Sequence, residues 1–398
     1  MFERLERLPT DPILGLMTAF RADTDPRKVD VGVGVYRDDR GETPVLQAVR
    51  RAEQAVLARQ TTKAYVGASG NLGFNEAMER LILGPQHPVL AAGRVRSIQA
   101  PGGCGALRLG AELIRVASPD AIVHVSNPTW ANHVPLLTGS GLKLERYPYY
   151  DPAQGKLQFE SMAAALDQLP ARSVVLLHAS CHNPTGADLS EAQWRQVLEI
   201  VRRRSLIPFI DLAYQGLGTG VDADAYGIRL FAAELPEVLV AVSCSKNFGL
   251  YRERTGVLHV VNDSTAAADA TLSQLVRIAR SLYSMPPDHG AAIVHEILTQ
   301  PALKDQWIAE VGSMRQRMSG LRSELVARLA TACPQHGFAF ISAQQGMFSL
   351  LGLPKEQVRE LREEHHVFMT DDSRINVAGL RADNLEYFAR AIAAVVRG

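Results

Sequence analysis

Along the chain, short runs of consecutive apolar and β-branched residues alternate with longer stretches in which apolar positions recur every three or four residues. The short runs predict strands over 95–100, 121–126, 173–179, 206–212, 238–243 and 256–261. They are nearly continuous in apolar residues, as parallel strands covered on both faces are. Helical spacing over 104–116 and 190–203 predicts crossover helices, the second opened by Ser190 and Gln193 as a capping box. Beyond about residue 301 the pattern changes to a long helix through 330, a β-rich 338–352, and two helices over 356–365 and 384–397. This order predicts an α/β fold, with a mostly parallel central sheet covered by helices on both faces and a second, smaller domain after it. No internal repeat or Pro/Gly-rich linker separates the two parts, so the cleft between them is the expected place for a site.

Composition narrows the picture. The 398 residues suffice for two domains, and 46% hydrophobic with 21% charged residues is the make-up of a folded globular chain, not a disordered one. Because 42 Lys and Arg balance 42 Asp and Glu, no overall field draws in nucleic acid or an anionic membrane. Any anion site must be built locally. The four cysteines, at 104, 181, 244 and 333, form no CxxC pair and have no His-rich spacing, so neither a metal site nor a disulfide framework is expected. A cytoplasmic location is the expectation. The opening Met1-Phe2-Glu3-Arg4-Leu5-Glu6 lacks an apolar signal core, and the longest apolar runs are strand-length, so neither secretion nor a membrane span is expected.

The chemistry concentrates in Ser243-Cys244-Ser245-Lys246-Asn247-Phe248-Gly249, with Arg254 following. A lysine directly after a buried strand is pushed by desolvation toward the neutral amine that a Schiff base requires. Two serines and an arginine beside it are phosphate ligands in type. Pro101-Gly102-Gly103-Cys104-Gly105 joins a strand to a helix, and backbone N–H groups at such a helix start also suit a phosphate. Asp211 ends the apolar run 206–210, where an unpaired carboxylate is costly and demands a cationic partner. Tyr214 follows it, His178 ends another strand, and Asn183-Pro184-Thr185-Gly186 comes just after. Strand ends in a parallel sheet converge on one crevice.

Together with His182, Asp211-Leu212-Ala213-Tyr214-Gln215-Gly216 and Ser373-Arg374-Ile375-Asn376, these segments resemble the class I, fold-type I pyridoxal-phosphate aminotransferases, and among them the aromatic amino acid and aspartate aminotransferases. The resemblance runs from Asp11-Pro12-Ile13-Leu14 and Gly32-Val33-Gly34-Val35-Tyr36 to Arg374. It implies an N-terminal arm over 1–12, a small α+β domain over 13–43 and 313–398, and a large cofactor-binding domain over 44–312 with a seven-stranded type of sheet. It implies that Lys246 is joined to pyridoxal 5'-phosphate and moves the substrate proton, that Asp211 pairs with the ring nitrogen, and that Tyr214 and Asn183 bond the phenolic oxygen. Trp130 stacks on the ring. Gly103, Cys104, Ser243, Ser245 and Arg254 hold the phosphate, joined by Tyr65 of a second subunit. His178 and His133 back Asp211. Gly34, Trp130, Asn183 and Arg374 meet the substrate, Arg374 at its α-carboxylate, and Arg280 reaches from the partner toward a distal carboxylate. The partners implied are amino acids, 2-oxo acids and a second copy of the chain.

Three positions depart from the pattern. Cys104 stands where Thr or Ser is common, while Ala64 and Met285 stand where aspartate-selective members carry Asn. An aromatic amino acid aminotransferase that also accepts aspartate and glutamate is therefore the expectation, with an aspartate aminotransferase as the alternative. A cofactor-dependent β-lyase shares Lys246 and Asp211. A non-catalytic sensor of the same fold would add a DNA-binding extension.

Overall fold

The computed structural model describes residues 1–8 and 12–397. Its centre is a sheet of β1 (Val95–Pro101), β2 (Ile122–Asn127), β3 (Lys143–Pro148), β4 (Val174–His178), β5 (Ile207–Leu212), β6 (Val238–Ser243) and β7 (Thr255–Val261). Their spatial order is β1-β7-β6-β5-β4-β2-β3. Only β7 is antiparallel, and it is so to both neighbours. Six strands lie within a residue or two of the stretches predicted for them. The seventh, β3, reads Lys-Leu-Glu-Arg-Tyr-Pro and lies at the sheet edge, where polar residues are tolerated and the apolar signal is lost.

Residues alternate across the sheet as a pleated backbone requires. Val175 and Leu177 of β4 and Val238, Val240 and Val242 of β6 face one buried cluster, whereas Val174, Leu176, Leu239 and Ala241 face another. The second cluster is roofed by α1 (Gly102–Ala117) and α3 (Thr265–Leu282). On the other face packs α2 (Glu191–Arg204), where the expected capping box is formed: Gln193 N–H donates to Ser190 Oγ at 3.3 Å and Ser190 N–H to Gln193 Oε1 at 2.9 Å.

A third cluster joins Val29 and Val31 to Leu325, Leu329, Phe388 and Ile392. Helix α4 (Pro301–Ala332) serves two cores, Trp307, Val311, Met314 and Met318 packing on the first and Leu321, Leu325 and Leu329 on the third. The C-terminal helix α5 (Leu385–Arg397) lies beside it. The stretch 338–352 corrects the sequence reading. Residues Phe338–Ala343 form a 3-10 helix, and only Phe348–Leu350 is a strand, paired with Arg374–Asn376. Phe338 and Ile341, three apart, are both buried, and that spacing fits a 3-10 turn as well as apolar richness fits a strand. Residues 9–11 of the expected arm lie outside the described residues. No described helix is long and apolar enough to cross a membrane.

Candidate functional site

The C-terminal ends of β4, β5 and β6 and the first turn of α1 enclose a cavity of about 180 Å³. Its walls include Gly103, Cys104, Trp130, His178, Asn183, Asp211, Tyr214, Ser243, Ser245, Lys246 and Arg254, so eleven residues singled out from the sequence meet in one place. A wider groove of about 760 Å³ between α4 and α5 carries no such chemistry, because its Arg328 and Arg390 are paired with Glu324 and Glu386.

At one end lies an anion cradle. Helix α1 begins at Gly102, so its first amides have no partner within the helix. Gly102 has φ +71°, and a Cβ there would come within 2.4 Å of an Arg254 nitrogen; one at Gly103 would lie 3.0 Å from the Ser243 Cβ. Only glycine lets backbone, serines and guanidinium approach this closely. Arg254 donates to Ser245 Oγ at 3.5 Å and to the Tyr251 carbonyl at 2.8 Å, neither of which carries a full negative charge. Asn132 donates its amide to the Cys104 sulfur at 3.6 Å, which holds the thiol on this wall.

At the other end, Asp211 closes β5. Its Oδ2 accepts from His133 Nε2 at 3.1 Å, and since the carboxylate is acceptor-only, His133 Nδ1 is free to accept from Thr129 Oγ1 at 2.8 Å. Thr129 in turn accepts from His178 Nε2 at 3.3 Å. Burial alone would raise the Asp211 carboxyl, but the His133 hydrogen bond and nearby positive charge, including Lys246, outweigh it and hold the carboxyl below its ordinary value. Burial pushes His178 down to about 3 and His182 well below its ordinary range, so both rings are neutral. The His182 ring lies between Tyr149, stacked at 4.2 Å, and His178 at 4.0 Å.

Between the two ends stands Lys246. Burial lowers its amine's affinity for a proton, while Asp211 works in the opposite direction. The amine lies 5.2 Å from the Tyr214 ring centre, and Asn183 Nδ2 donates to the Tyr214 oxygen at 3.3 Å. Arg374 borders the same cluster, donating to Asn183 Oδ1 at 3.2 Å and to the Gly32 carbonyl at 3.0 Å. Its Nε is buried without a hydrogen-bond partner among the described residues. The Asn127-Pro128 and Asn183-Pro184 bonds are both cis, as their sharp turns toward Trp130 and Asn183 lead one to expect. The donor set fits pyridoxal phosphate: a cationic and amide cradle for the phosphate, an ionised buried carboxylate for a protonated ring nitrogen, and a buried amine between them.

Two expected residues lie elsewhere. Tyr65 is 91% exposed, and Arg280, at the end of α3, is an exposed group donating to Ser284 Oγ at 2.5 Å. Neither lines the cavity of this single chain. Gly34 sits against Phe348, where a Cβ would lie 3.0 Å from the ring. The sequence alone assigned no role to Thr129 or to the ring of His182, which the structure places beside His133 and His178. It also passed over Phe348, which no local signal marks.

Residues 26–392 match the family model for aminotransferase class I and II. An aromatic-amino-acid aminotransferase of Pseudomonas aeruginosa is 48% identical over 99% of this chain and 98% of its own. An aspartate aminotransferase of the same organism is 42% identical over the full length of both. The crystal structure of an aromatic-amino-acid aminotransferase from Burkholderia pseudomallei, covalently bound to pyridoxal phosphate, superposes with a TM-score of 0.97 at 46% identity, covering 99% of each chain. With the matched model spanning nearly the whole chain and the cavity carrying the groups described, this protein belongs to the class I and II aminotransferases.

Proposed function

We propose that the protein is a pyridoxal-phosphate-dependent aromatic amino acid aminotransferase, passing the amino group of phenylalanine or tyrosine to a 2-oxo acid such as 2-oxoglutarate and also accepting aspartate and glutamate. The observation that carries the reading is the meeting of Lys246 with an ionised Asp211 and an anion cradle in one cavity. Bound there, the cofactor supplies a conjugated ring that accepts the electron pair left when a substrate proton departs.

The chain's own residues divide the remaining work. Lys246, its charged form disfavoured by burial, would carry the proton between the substrate Cα and the cofactor C4'. Asp211, kept ionised by His133, holds a positive charge at the ring nitrogen. Tyr214 and Asn183 bond the ring oxygen, Trp130 covers a ring face, and Gly103, Cys104, Ser243, Ser245 and Arg254 hold the phosphate. Arg374 binds the substrate α-carboxylate as a planar, two-pronged donor, with Gly34 alongside.

The dimer belongs to the same reading. Tyr65 and Arg280 face outward here and enter the site of a second copy, Tyr65 at the phosphate and Arg280 at a distal carboxylate. The exposed Met1, Phe2, Leu5 and Leu8 give the N-terminal arm an apolar surface to lay on that copy. Cys104, Cys181 and Cys244, none of them in a disulfide, accord with a cytoplasmic enzyme. The division into residues 1–12, 13–43 with 313–398, and 44–312 is supported by the separate cluster shared by Val29, Val31 and the C-terminal third of the chain.

Steady-state kinetics with phenylalanine, tyrosine and aspartate tests the specificity. We expect kcat/KM for an aromatic donor to equal or exceed that for aspartate. A preference for aspartate of a hundredfold or more, about 2.7 kcal/mol, makes the protein an aspartate aminotransferase instead. Pyruvate and ammonia released without a 2-oxo acid acceptor would indicate a lyase.

A further inference from the structure

Strand Arg374–Asn376 sends alternate side chains to opposite faces, so Ile375 enters the core while Arg374 and Asn376 share the other side. What they share it with is one segment, residues 31–35. Asn376 N–H donates to the Val31 carbonyl at 2.6 Å and Arg374 to the Gly32 carbonyl at 3.0 Å. The Asn376 carboxamide nitrogen then donates to both the Val33 and the Val35 carbonyls at 2.7 Å, while its oxygen accepts from Ala378 N–H at 3.0 Å. Four carbonyls of a five-residue segment are thus taken up by a three-residue strand. An amide is the side chain this calls for, since it alone offers two donor hydrogens on one atom and an acceptor on the next. The segment joins two cores, Val31 in the small cluster and Tyr36 in the large one, and Tyr36 N–H donates to Tyr251 Oη at 2.9 Å. It has no helix or sheet ladder of its own over these residues, so its course depends on such bonds.

We infer that Asn376 is a positioning residue for substrate binding: by fixing segment 31–35 it sets the Gly32 carbonyl that orients the Arg374 guanidinium, and so assembles the carboxylate clamp. This rests on the reading of Arg374 as the group that binds the substrate carboxylate. Asn376 does not line the cavity. Its effect falls on substrate affinity and leaves cofactor affinity alone, because the phosphate cradle is built on β6 and α1.

The sharpest probe is Asn376→Asp, nearly the same shape, in which the doubly donating nitrogen becomes an oxygen facing two carbonyls. In the cofactor-loaded enzyme we expect KM for phenylalanine, and the calorimetric Kd for 3-phenylpropanoate, a carboxylate without an amine, to rise about tenfold or more near pH 8. The cofactor Kd should stay within about twofold. The defect should shrink as pH falls, because a protonated carboxyl regains one donor. Asn376→Ser, which loses the double bond without adding charge, should show the KM and Kd defects without the pH relief, and covers the case in which the aspartate variant does not fold. Arg374→Lys is measured alongside. If it raises KM and Kd while both Asn376 variants leave them unchanged, the positioning role is wrong and the clamp stands. If Arg374→Lys itself changes neither, the reading beneath the inference fails. Loss of cofactor affinity in step with substrate affinity in the Asn376 variants would make the role merely structural.

Discussion

The Arg374 guanidinium lies across the ring of Phe348, its central carbon 4.5 Å from the ring centre. The same ring meets Tyr214 edge-on, at 5.9 Å and 90°. Arg374 is thus held by a π-face and by the oxygens of Asn183 and Gly32, none of which carries a full negative charge, and its positive charge is left for an anionic ligand. Such a contact contributes about 1–2 kcal/mol when shielded from water. Replacing Phe348 with Leu should therefore raise KM for an amino acid roughly five- to thirtyfold. Phe348→Tyr, which keeps the face, should stay near wild type. Equal damage from both would assign the effect to packing.

Lys246→Ala removes the only lysine among the described residues lining the cavity and leaves the cradle of Gly103, Ser243, Ser245 and Arg254 intact. The variant should bind pyridoxal phosphate noncovalently and lose turnover by several orders of magnitude. Borohydride treatment of the loaded wild type, followed by peptide mapping, should find the label on Lys246. A label on another lysine overturns the assignment.

Because Arg280 is exposed and does not line the cavity of its own chain, its role is testable by mixing subunits. Arg280→Ala should weaken turnover of aspartate and glutamate by the worth of a charge-assisted pair, about 1.5–3 kcal/mol, and affect phenylalanine far less. Mixing it with Lys246→Ala should restore part of the dicarboxylate activity through hybrid dimers. No recovery, with exchange demonstrated by mass spectrometry, would argue against a shared site.

His259 is a buried ring on β7 whose Nδ1 lies 2.6 Å from Ser97 Oγ. Burial pushes its pKa down to about 3, against about 6.5 unfolded. Between these values the unfolded chain holds the extra proton, so stability is full above about pH 6.5 and falls with decreasing pH by about 1.4 kcal/mol per unit until it levels near 3. Glu79, raised by burial, titrates in the opposite sense and is retained in His259→Gln. That variant should show a shallower loss of stability between about pH 6 and 4, by one proton's slope, in urea melts. An unchanged slope would show that the ring is already protonated when folded.

The parts of this molecule that were legible in advance are those whose cause is local. Val238 to Ser243 is apolar because it is covered on both faces, and Ser190 with Gln193 announces a helix start through bonds made within four residues. The cavity was legible for a related reason: Asp211 lies at the end of the strand that aims it, and Lys246 and Asn183 follow theirs. Phe348 is different. It reaches Arg374 and Tyr214 only because two short strands pair, and Arg322, buried and donating to the carbonyls of Gly346 and Phe348, holds that segment from a distant helix. Nothing near residue 348 in the sequence records those contacts. Tyr65 and Arg280 mark the opposite limit, since both are exposed and neither lines the cavity of this chain.

Helix α4 runs without interruption from one core into another, about 48 Å for its 32 residues. Along it, Met318 still belongs to the first core and Leu321 already to the other. Between them stand Ser319 and Gly320, and a Cβ on Gly320 would meet nothing within 4 Å. A Gly/Ser pair is where a helix bends most readily. A second such pair, Gly312-Ser313, lies about two turns earlier, and the helix is in effect an axle with a soft joint at the seam. Turned by 10° about that joint, a point about 20 Å away travels roughly 3.5 Å, on the order of the gap between an open and a closed hydrogen bond.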